Sequence, residues 1–427
     1  MWDVRGAFST HRESTLEEAE LLRYDRSVQP GPGGLCRALP HATLANDLQL
    51  ANGIRIVHGY AGLAAGAFLC VLGVSGSLLV FRPELERLTR PDLFSVPIGA
   101  KHASISGMAA RAAKAVPGLA LYRVRLPQDD AGSVEFQFGA DGKVTSRVYV
   151  DPYQSRVLGT RASGDVFLWL QSLHFDLLAA DTGRRINGGI GLALLVIATS
   201  GLGLWLRSRA SWTARLRPQW RARSARLHWG LHIPGGFWLF PMLALMGATA
   251  TYFAFHEPVA KLVCAVTFSR LPAPPPRVPQ TSKPIRLDEM LWRAQFLEPT
   301  GSFTLVRLPQ SPGQAVTLNY ALPGDWSSLG ANGIHFDPNT GAAIRIDRVR
   351  EMPLGPRILA AFVPLHFGIF GGTATRAVWA LLGLSPSLFF TTGLVIRRRR
   401  TSMRAGTAEQ VPRKKDRSQS DMEVQSQ

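Results

Sequence analysis

Cysteine is scarce in this chain. Only Cys36, Cys70 and Cys264 occur in 427 residues, and no two form a Cys-x-x-Cys pair. A disulfide framework is therefore not indicated, and the lack of any Cys-x-x-Cys-His excludes covalent attachment of a c-type haem. Cys70 falls in an apolar run, where a small side chain fits without special chemistry. No glycine-rich fingerprint opens a helix after a strand, so an intrinsic NAD or flavin domain is not expected. Acidic residues are also short: 30 Asp and Glu stand against 48 Lys and Arg, a net charge of +18. The long apolar runs contain no acidic residue, which argues against a broken-helix ion transporter. No His/Asp/Glu cluster has the close spacing of a zinc site.

What the chain has instead is hydrophobic length. Four runs, roughly 56–81, 186–206, 233–255 and 377–396, are almost free of charge. A helix needs ~20 apolar residues to cross the hydrocarbon core, so all four qualify as spans. The first lies too far from Met1, and is too long, to be a cleavable signal. Arg207, Arg209, Arg215, Arg217, Arg221, Arg223 and Arg226 separate the second and third runs without one acidic residue. Arg397 to Arg400 and Arg413-Lys414-Lys415 follow the fourth. The positive-inside rule assigns these flanks to the cytoplasm. The excess charge then reports topology in a lipid bilayer, and no nucleic-acid partner is expected. Both termini are cytoplasmic in this reading, and two large loops face outward.

Those loops repeat each other. Leu121-Tyr122-Arg123-Val124-Arg125-Leu126-Pro127 in the first matches Phe303-Thr304-Leu305-Val306-Arg307-Leu308-Pro309 in the second. Period-two alternation follows in each, then an Asp-Pro turn at Asp151-Pro152 and at Asp337-Pro338, which predicts strands and hairpins. Helical stretches at Ser106 to Val116 and Leu287 to Phe296 precede them and would cover one sheet face. The predicted fold is an all-α four-helix transmembrane bundle carrying two small outward α+β modules, built by internal duplication. Its segments are a mobile extension (1–50), span 1 (51–82), module 1 (83–165), an interfacial helix with span 2 (166–206), an Arg-rich loop (207–228), span 3 (229–256), module 2 (257–357), an interfacial segment with span 4 (358–397) and a disordered basic tail (398–427). His256 and His335 fall in the outer loops and read as surface residues.

The histidines repeat as well. His174 and His366 each precede an arginine by ten residues (Arg184, Arg376) and a glycine by twenty-seven (Gly201, Gly393). Those glycines close Thr199-Ser200-Gly201 and Thr391-Thr392-Gly393 within apolar runs. On the cytoplasmic side, His58 and His232 are each followed at four by a glycine, Gly62 and Gly236. Ionisable residues at membrane helices are costly and mark functional sites by default.

In this order, the motifs resemble the PepSY-associated transmembrane family. They are His58-x-x-x-Gly62 with Ser75-Gly76, Pro91-Asp92-Leu93-Phe94, Asp151-Pro152, Leu173-His174, His232-x-x-x-Gly236 with Pro241, Asp337-Pro338, and Leu365-His366-Phe367-Gly368. The resemblance covers about residues 50 to 400 and implies PepSY-like periplasmic modules in a bacterial inner membrane. It further implies haem in the membrane and ferrisiderophore reduction, since the family includes such reductases. Two departures stand out. Ala248-Thr249-Ala250 replaces a usual Thr-Gly, and His228 adds a second histidine one turn before His232.

Sorted by membrane face, the histidines form an inner pair, His58 with His232, and an outer pair, His174 with His366. Neutral imidazole is the usual axial ligand of haem b, and histidines from facing helices can clamp one macrocycle. Two bis-histidine haems are thus expected, with His228 as the alternative to His232. The competing reading makes these residues helix caps or interfacial anchors. Arg184 and Arg376 suit haem propionates and equally suit snorkelling at the interface. Gly62, Gly66, Gly73 and Gly76 suit a flat ring and equally suit close helix packing. The expected function is electron transfer from a cytoplasmic or quinol donor to a periplasmic Fe(III)-siderophore, releasing Fe(II) for iron uptake. The alternative is a non-enzymatic, membrane-anchored binding or regulatory protein whose modules recognise a peptide or protein by strand addition.

Overall fold

The computed structural model describes residues 39–140, 143–162, 164–208, 211–220, 224–279 and 286–409. The expectations for 1–38 (Cys36 included), for Arg209, Arg221 and Arg223, and for Arg413-Lys414-Lys415 lie outside the described residues. Helix α1 (Leu39–Val80) runs into α2 (Arg82–Thr89), a turn at Pro91–Phe94 and α3 (Ile105–Ala115). Strands β1 (Ala120–Arg125), β2 (Val134–Ala140), β3 (Lys143–Val150) and β4 (Val157–Ala162) follow, then α4 (Val166–Asp176) and α5 (Ala180–Arg207). The same order recurs as α6 (Ser224–Ala254), α7 (His256–Val266), α8 (Leu287–Leu297), β5 (Ser302–Arg307), β6 (Val316–Ala321), β7 (Asn332–Phe336), β8 (Ala343–Asp347), α9 (Leu354–Phe367), α10 (Gly372–Gly383) and α11 (Ser385–Glu409).

Four stretches are long and apolar enough to cross a bilayer: Gln49–Val80, Ala180–Arg207, Arg226–Ala254 and Ile369–Ser402. Their outer surfaces leave Ile56, Leu63, Phe68, Val71, Leu192 and Leu388 exposed, as side chains facing lipid would be. The fourth stretch starts earlier than its sequence suggests and breaks at Leu384 between α10 and α11. Pro386 falls in the first turn of α11, where its missing N–H costs nothing. Small residues bring the helices into contact. A Cβ on Gly73 would lie 2.3 Å from the Gly383 carbonyl oxygen, and one on Gly66 would lie 2.1 Å from the Phe390 ring. These two glycines therefore serve helix packing.

The expected pair of separate sheets is instead one. Eight antiparallel strands run in the order β4-β3-β2-β1-β5-β6-β7-β8. The join is β1 against β5, with Arg123 opposite Arg307, Val124 opposite Val306 and Arg125 opposite Leu305. Each four-stranded module alone would leave an open edge of unpaired N–H and C=O groups, and pairing the two edges removes both. It also merges two small cores. Val124, Phe136, Phe138, Val306, Leu318 and Phe336 pack under Met108 and Ala112 of α3 and Met290 and Ala294 of α8. Each large side chain so buried contributes ~1.5–3 kcal/mol. Asp288, at the start of α8, caps the other module's helix: it accepts from the backbone N–H of Ile105 (2.7 Å) and Ser106 (3.1 Å) and from the Ser104 hydroxyl (2.9 Å). Burial pushes its carboxyl up, but those hydrogen bonds outweigh it and hold the group below the usual range.

The other sheet face is polar and clasped at both ends. At the β4 end, Leu93 sits on Gly159 and Phe94 packs edge-on against Tyr149. Arg161, almost wholly buried there, bonds Glu86 at 2.9 Å and also Asp165. At the β8 end, Arg345 donates to the Pro274 carbonyl at 3.0 Å and so ties down the segment before α8. This clasp corrects the surface assignment of His335, which is 5% exposed on β7 between Thr317 (3.0 Å) and Asp347 (2.8 Å). Burial lowers its pKa despite the Asp347 partner. His256 is exposed, as its surface reading expects, but it opens α7 rather than lying in a loop and meets the Tyr252 hydroxyl at 2.7 Å.

Candidate functional site

Two histidine pairs lie within the helical part. His58 of α1 and His232 of α6 have ring centroids 6.3 Å apart at an interplanar angle of 87°. His174 of α4 and His366 of α9 are 6.4 Å apart at 56°. Each pair takes one histidine from each half of the chain. Phe389 stands edge-on to His232 and Phe253 edge-on to His366, so apolar rings wall both pairs.

Each imidazole rests on a hydroxyl from a neighbouring helix. His58 Nδ1 meets Ser200 Oγ at 3.1 Å, His174 Nδ1 meets Ser75 Oγ at 3.0 Å, His232 Nδ1 meets Thr392 Oγ1 at 2.8 Å, and His366 Nδ1 meets Thr249 Oγ1 at 2.7 Å. A hydroxyl has one proton. These four give theirs to backbone carbonyls of their own helices: Ser200 to Ile197, Ser75 to Val71, Thr392 to Leu388 and Thr249 to Leu245. With the hydroxyl proton directed to the carbonyl, each oxygen accepts and each histidine donates from Nδ1. His58 gives an independent check, because its Nδ1 also lies 3.0 Å from the Ile197 carbonyl, which can only accept. The proton on Nδ1 leaves the lone pair on Nε2. No hydrogen bond among the described residues takes Nε2 of any of the four.

Glycine follows three of the hydroxyls and leaves room for the ring. A Cβ would lie 2.8 Å from His174 Cε1 at Gly76, 3.0 Å from His58 Cε1 at Gly201 and 3.4 Å from His232 Cε1 at Gly393. The fourth position is Ala250, whose methyl instead packs at Gly191 of α5. Spacing along the helices is equal in both halves. Ser75 follows His58, and Thr249 follows His232, by seventeen residues, about 25 Å of helix. The two pairs therefore sit at different depths, separated by most of a hydrocarbon thickness.

The remaining candidates are engaged elsewhere. Arg376 donates to the Val80 carbonyl at the end of α1 and forks onto Glu84 at 2.5 and 2.6 Å. Its hydrogen bonds hold the Glu84 carboxyl below the usual range. Arg184 pairs with Asp181 one turn back at 3.3 Å, more than half exposed. Gly62 has open space around it. Of the two adjacent histidines on α6, His232 is the one brought to His58.

The sequence model of the family described as PepSY-associated TM region matches residues 55–400. The chain belongs to that family. No curated protein matches it. The match spans all four bilayer-length stretches, both histidine pairs and the whole sheet, so this member of the PepSY-associated TM region family is a membrane protein. The four hydroxyls are the part of its site that sequence reasoning missed. Ser200 and Thr392 stood out only as landmarks of the repeat, and Ser75 and Thr249 as flanks of a glycine position. A usable signal was present: both halves place a hydroxyl seventeen residues after the first histidine and twenty-six after the second.

Proposed function

We propose that this chain is a haem-binding electron-transfer protein of a bacterial inner membrane. In this reading His58 with His232, and His174 with His366, hold two haems b. Electrons pass outward to a periplasmic Fe(III) chelate of the siderophore class. The observation that carries it is the pair of facing imidazoles, each with Nδ1–H fixed by a hydroxyl and Nε2 free. Fixing one ring nitrogen to orient the other is how proteins prepare histidine for a metal. The ring separations of 6.3 and 6.4 Å also fit. Two metal–nitrogen bonds of about 2.0 Å plus about one ring radius on each side come to roughly 6 Å, so each pair would leave room for one metal centre between its rings. Among the described residues no group of three or more His, Cys, Asp or Glu could hold a bare ion. Two histidines suffice where the metal brings its other ligands, as haem iron does. Bound haem would supply a one-electron Fe(III)/Fe(II) couple; the protein positions it, walls it with Phe253 and Phe389, and tunes its ligands.

Topology supports the direction. Arg207, Arg215, Arg217, Arg226 and Arg397 to Arg400 follow or precede the long helices at the ends away from the strands, and the positive-inside rule supports a cytoplasmic side there. The sheet is then periplasmic, over the His174–His366 pair. Equal spacings in both halves and the mirrored strand order support descent from a duplicated unit.

The test is the absorption spectrum of detergent-purified protein made with haem available. A Soret band with sharp reduced α and β bands is expected. His232→Ala and His366→Ala should each remove part of the pigment, and His228→Ala none. A colourless wild-type protein would sink this reading and favour a binding protein.

A further inference from the structure

The polar sheet face carries one continuous lateral row. Read across the strands by register, it is Arg345, His335, Thr317, Arg307, Arg123, Gln137, Arg147 and Arg161. Most of its cations are neutralised in place. Arg345 bonds Asp347 at 2.8 Å, Arg147 bonds Glu135 at 3.2 Å, and Arg161 bonds Glu86 and Asp165. The two at the centre are not. Arg123 and Arg307 stand directly opposite each other across the β1–β5 seam, both exposed, with no carboxylate partner among the described residues. Arg307 has only the Asn319 side-chain oxygen at 3.0 Å. Partial desolvation and then the like charges of Arg123 and Arg125 pull its pKa down. Arg125, next along β1, spends its charge loosely on Glu135 at 3.5 Å.

Like charges facing each other across strands destabilise a sheet. Here they sit at its middle, between the two clasped ends, where covering segments leave the face open. A local rule broken without compensation points to function. We propose that the β1–β5 seam is an anion-binding subsite, and that Arg123 and Arg307 receive an anionic, oxygen-rich ferric chelate as the electron acceptor. The assignment rests on the electron-transfer reading above. Guanidinium forks match the carboxylate and catecholate oxygens of such chelates, and an exposed cationic patch raises their local concentration. One arginine comes from each half, so the subsite exists only because the two modules share a sheet.

The probe is a redox-inert gallium(III) tris-catecholate, strongly anionic, set against a neutral gallium(III) tris-hydroxamate, both titrated into the purified full-length protein. The anionic chelate should bind more tightly and weaken with salt. R123Q/R307Q should reduce its affinity by at least about tenfold, the loss of one charge-assisted contact, and leave the absorption spectrum and the neutral chelate unchanged. R123K/R307K should recover part of the binding. Relief of the repulsion should leave the glutamine variant no less heat-stable than wild type, so lost binding cannot be blamed on unfolding. Equal binding of both chelates, or unchanged binding in R123Q/R307Q, overturns the subsite. So does full displacement by phosphatidylglycerol vesicles, which would make it a lipid contact. A colourless protein that still binds the anion through these arginines overturns the electron-transfer reading and leaves the subsite standing.

Discussion

Thr249→Val removes one atom's worth of chemistry from the His366 seat. The threonine is fully buried, and valine keeps its branched shape while losing the oxygen that accepts from Nδ1 at 2.7 Å. The Leu245 carbonyl loses an auxiliary partner but keeps its helical N–H. The imidazole loses the one Nδ1 partner it has among the described residues. A buried donor left unpaired costs ~1–3 kcal/mol, and loss of such an outer-shell partner weakens metal binding by roughly 10–100-fold. Without an acceptor at Nδ1–H, Nε2 becomes a weaker electron donor, so a ferric centre loses more than a ferrous one. The potential at that site should rise, by about 59 mV for each tenfold change in the ferric-to-ferrous affinity ratio.

Two measurements check this. Haem titration of apo-protein should show one weakened site of two, and potentiometry should show one couple shifted upward while the His58–His232 couple stays put. Thr249→Ser, which restores the hydroxyl, should restore both. Wild-type affinity and potentials in Thr249→Val would refute the claim that the hydroxyl fixes the tautomer. Shifts in both couples would refute the independence of the two depths.

Further consequences concern the scaffold. Arg376→Gln should lower the melting temperature, costing ~1–3 kcal/mol through the lost Val80 and Glu84 contacts, with the absorption spectrum intact; loss of pigment would return Arg376 to a propionate role. Glu86→Ala strips one of two carboxylates, Asp165 being the other, from the Arg161 guanidinium, whose side chain is 2% exposed, and should cost ~1–3 kcal/mol, read by thermal melt or protease sensitivity of the β4 end. Asp288 has a depressed folded pKa, so its stabilisation is complete above the ordinary carboxyl value near pH 4 and is lost as pH falls through the folded value. Asp288→Asn should lower stability at pH 7 and flatten the acid limb of a melting-temperature profile; an unchanged acid limb would show that the cap does not couple the modules.

The bilayer-length helices were legible because twenty apolar residues in sequence leave few other folds open. The histidine pairs were legible for a different reason. Equal spacings in two halves of one chain force equivalent residues to equivalent depths, so pairing by depth needs no tertiary knowledge. The joined sheet was not legible, because β1 and β5 meet across some 180 residues, and no local pattern tells a strand which distant edge it will meet. A hint existed in the Val-Arg-Leu-Pro shared by Val124 to Pro127 and Val306 to Pro309: similar strands present similar edges. His335 shows the same limit. Read as an outer-loop surface residue, it lies on β7 between Ile334 and Phe336, beside the Arg345 clasp formed with a segment seventy residues earlier. Arg376 shows the limit from the other side: its place ten residues after His366 is real, but spacing gave no sign that Glu84 and the Val80 carbonyl receive its guanidinium.

The seats are reciprocal in a way that bears on how the molecule holds together. In the first half α1 lends His58 to Ser200 of α5, and receives His174 on its own Ser75. In the second, α6 lends His232 to Thr392 of α11 and receives His366 on Thr249. Each half thus orients both of its histidines without help from the other. Neither half, however, can form a pair: every pair needs one imidazole from each. Whatever binds between the rings must bridge the halves at both depths, and its binding free energy becomes assembly free energy for the bundle. Beyond the helices, the β1–β5 seam fastens the same two halves a third time, and there two unpaired arginines meet. Orientation is local to each half, and in the proposed haem reading ligation would be shared between them, so ligand sites arise only where the two halves are held face to face.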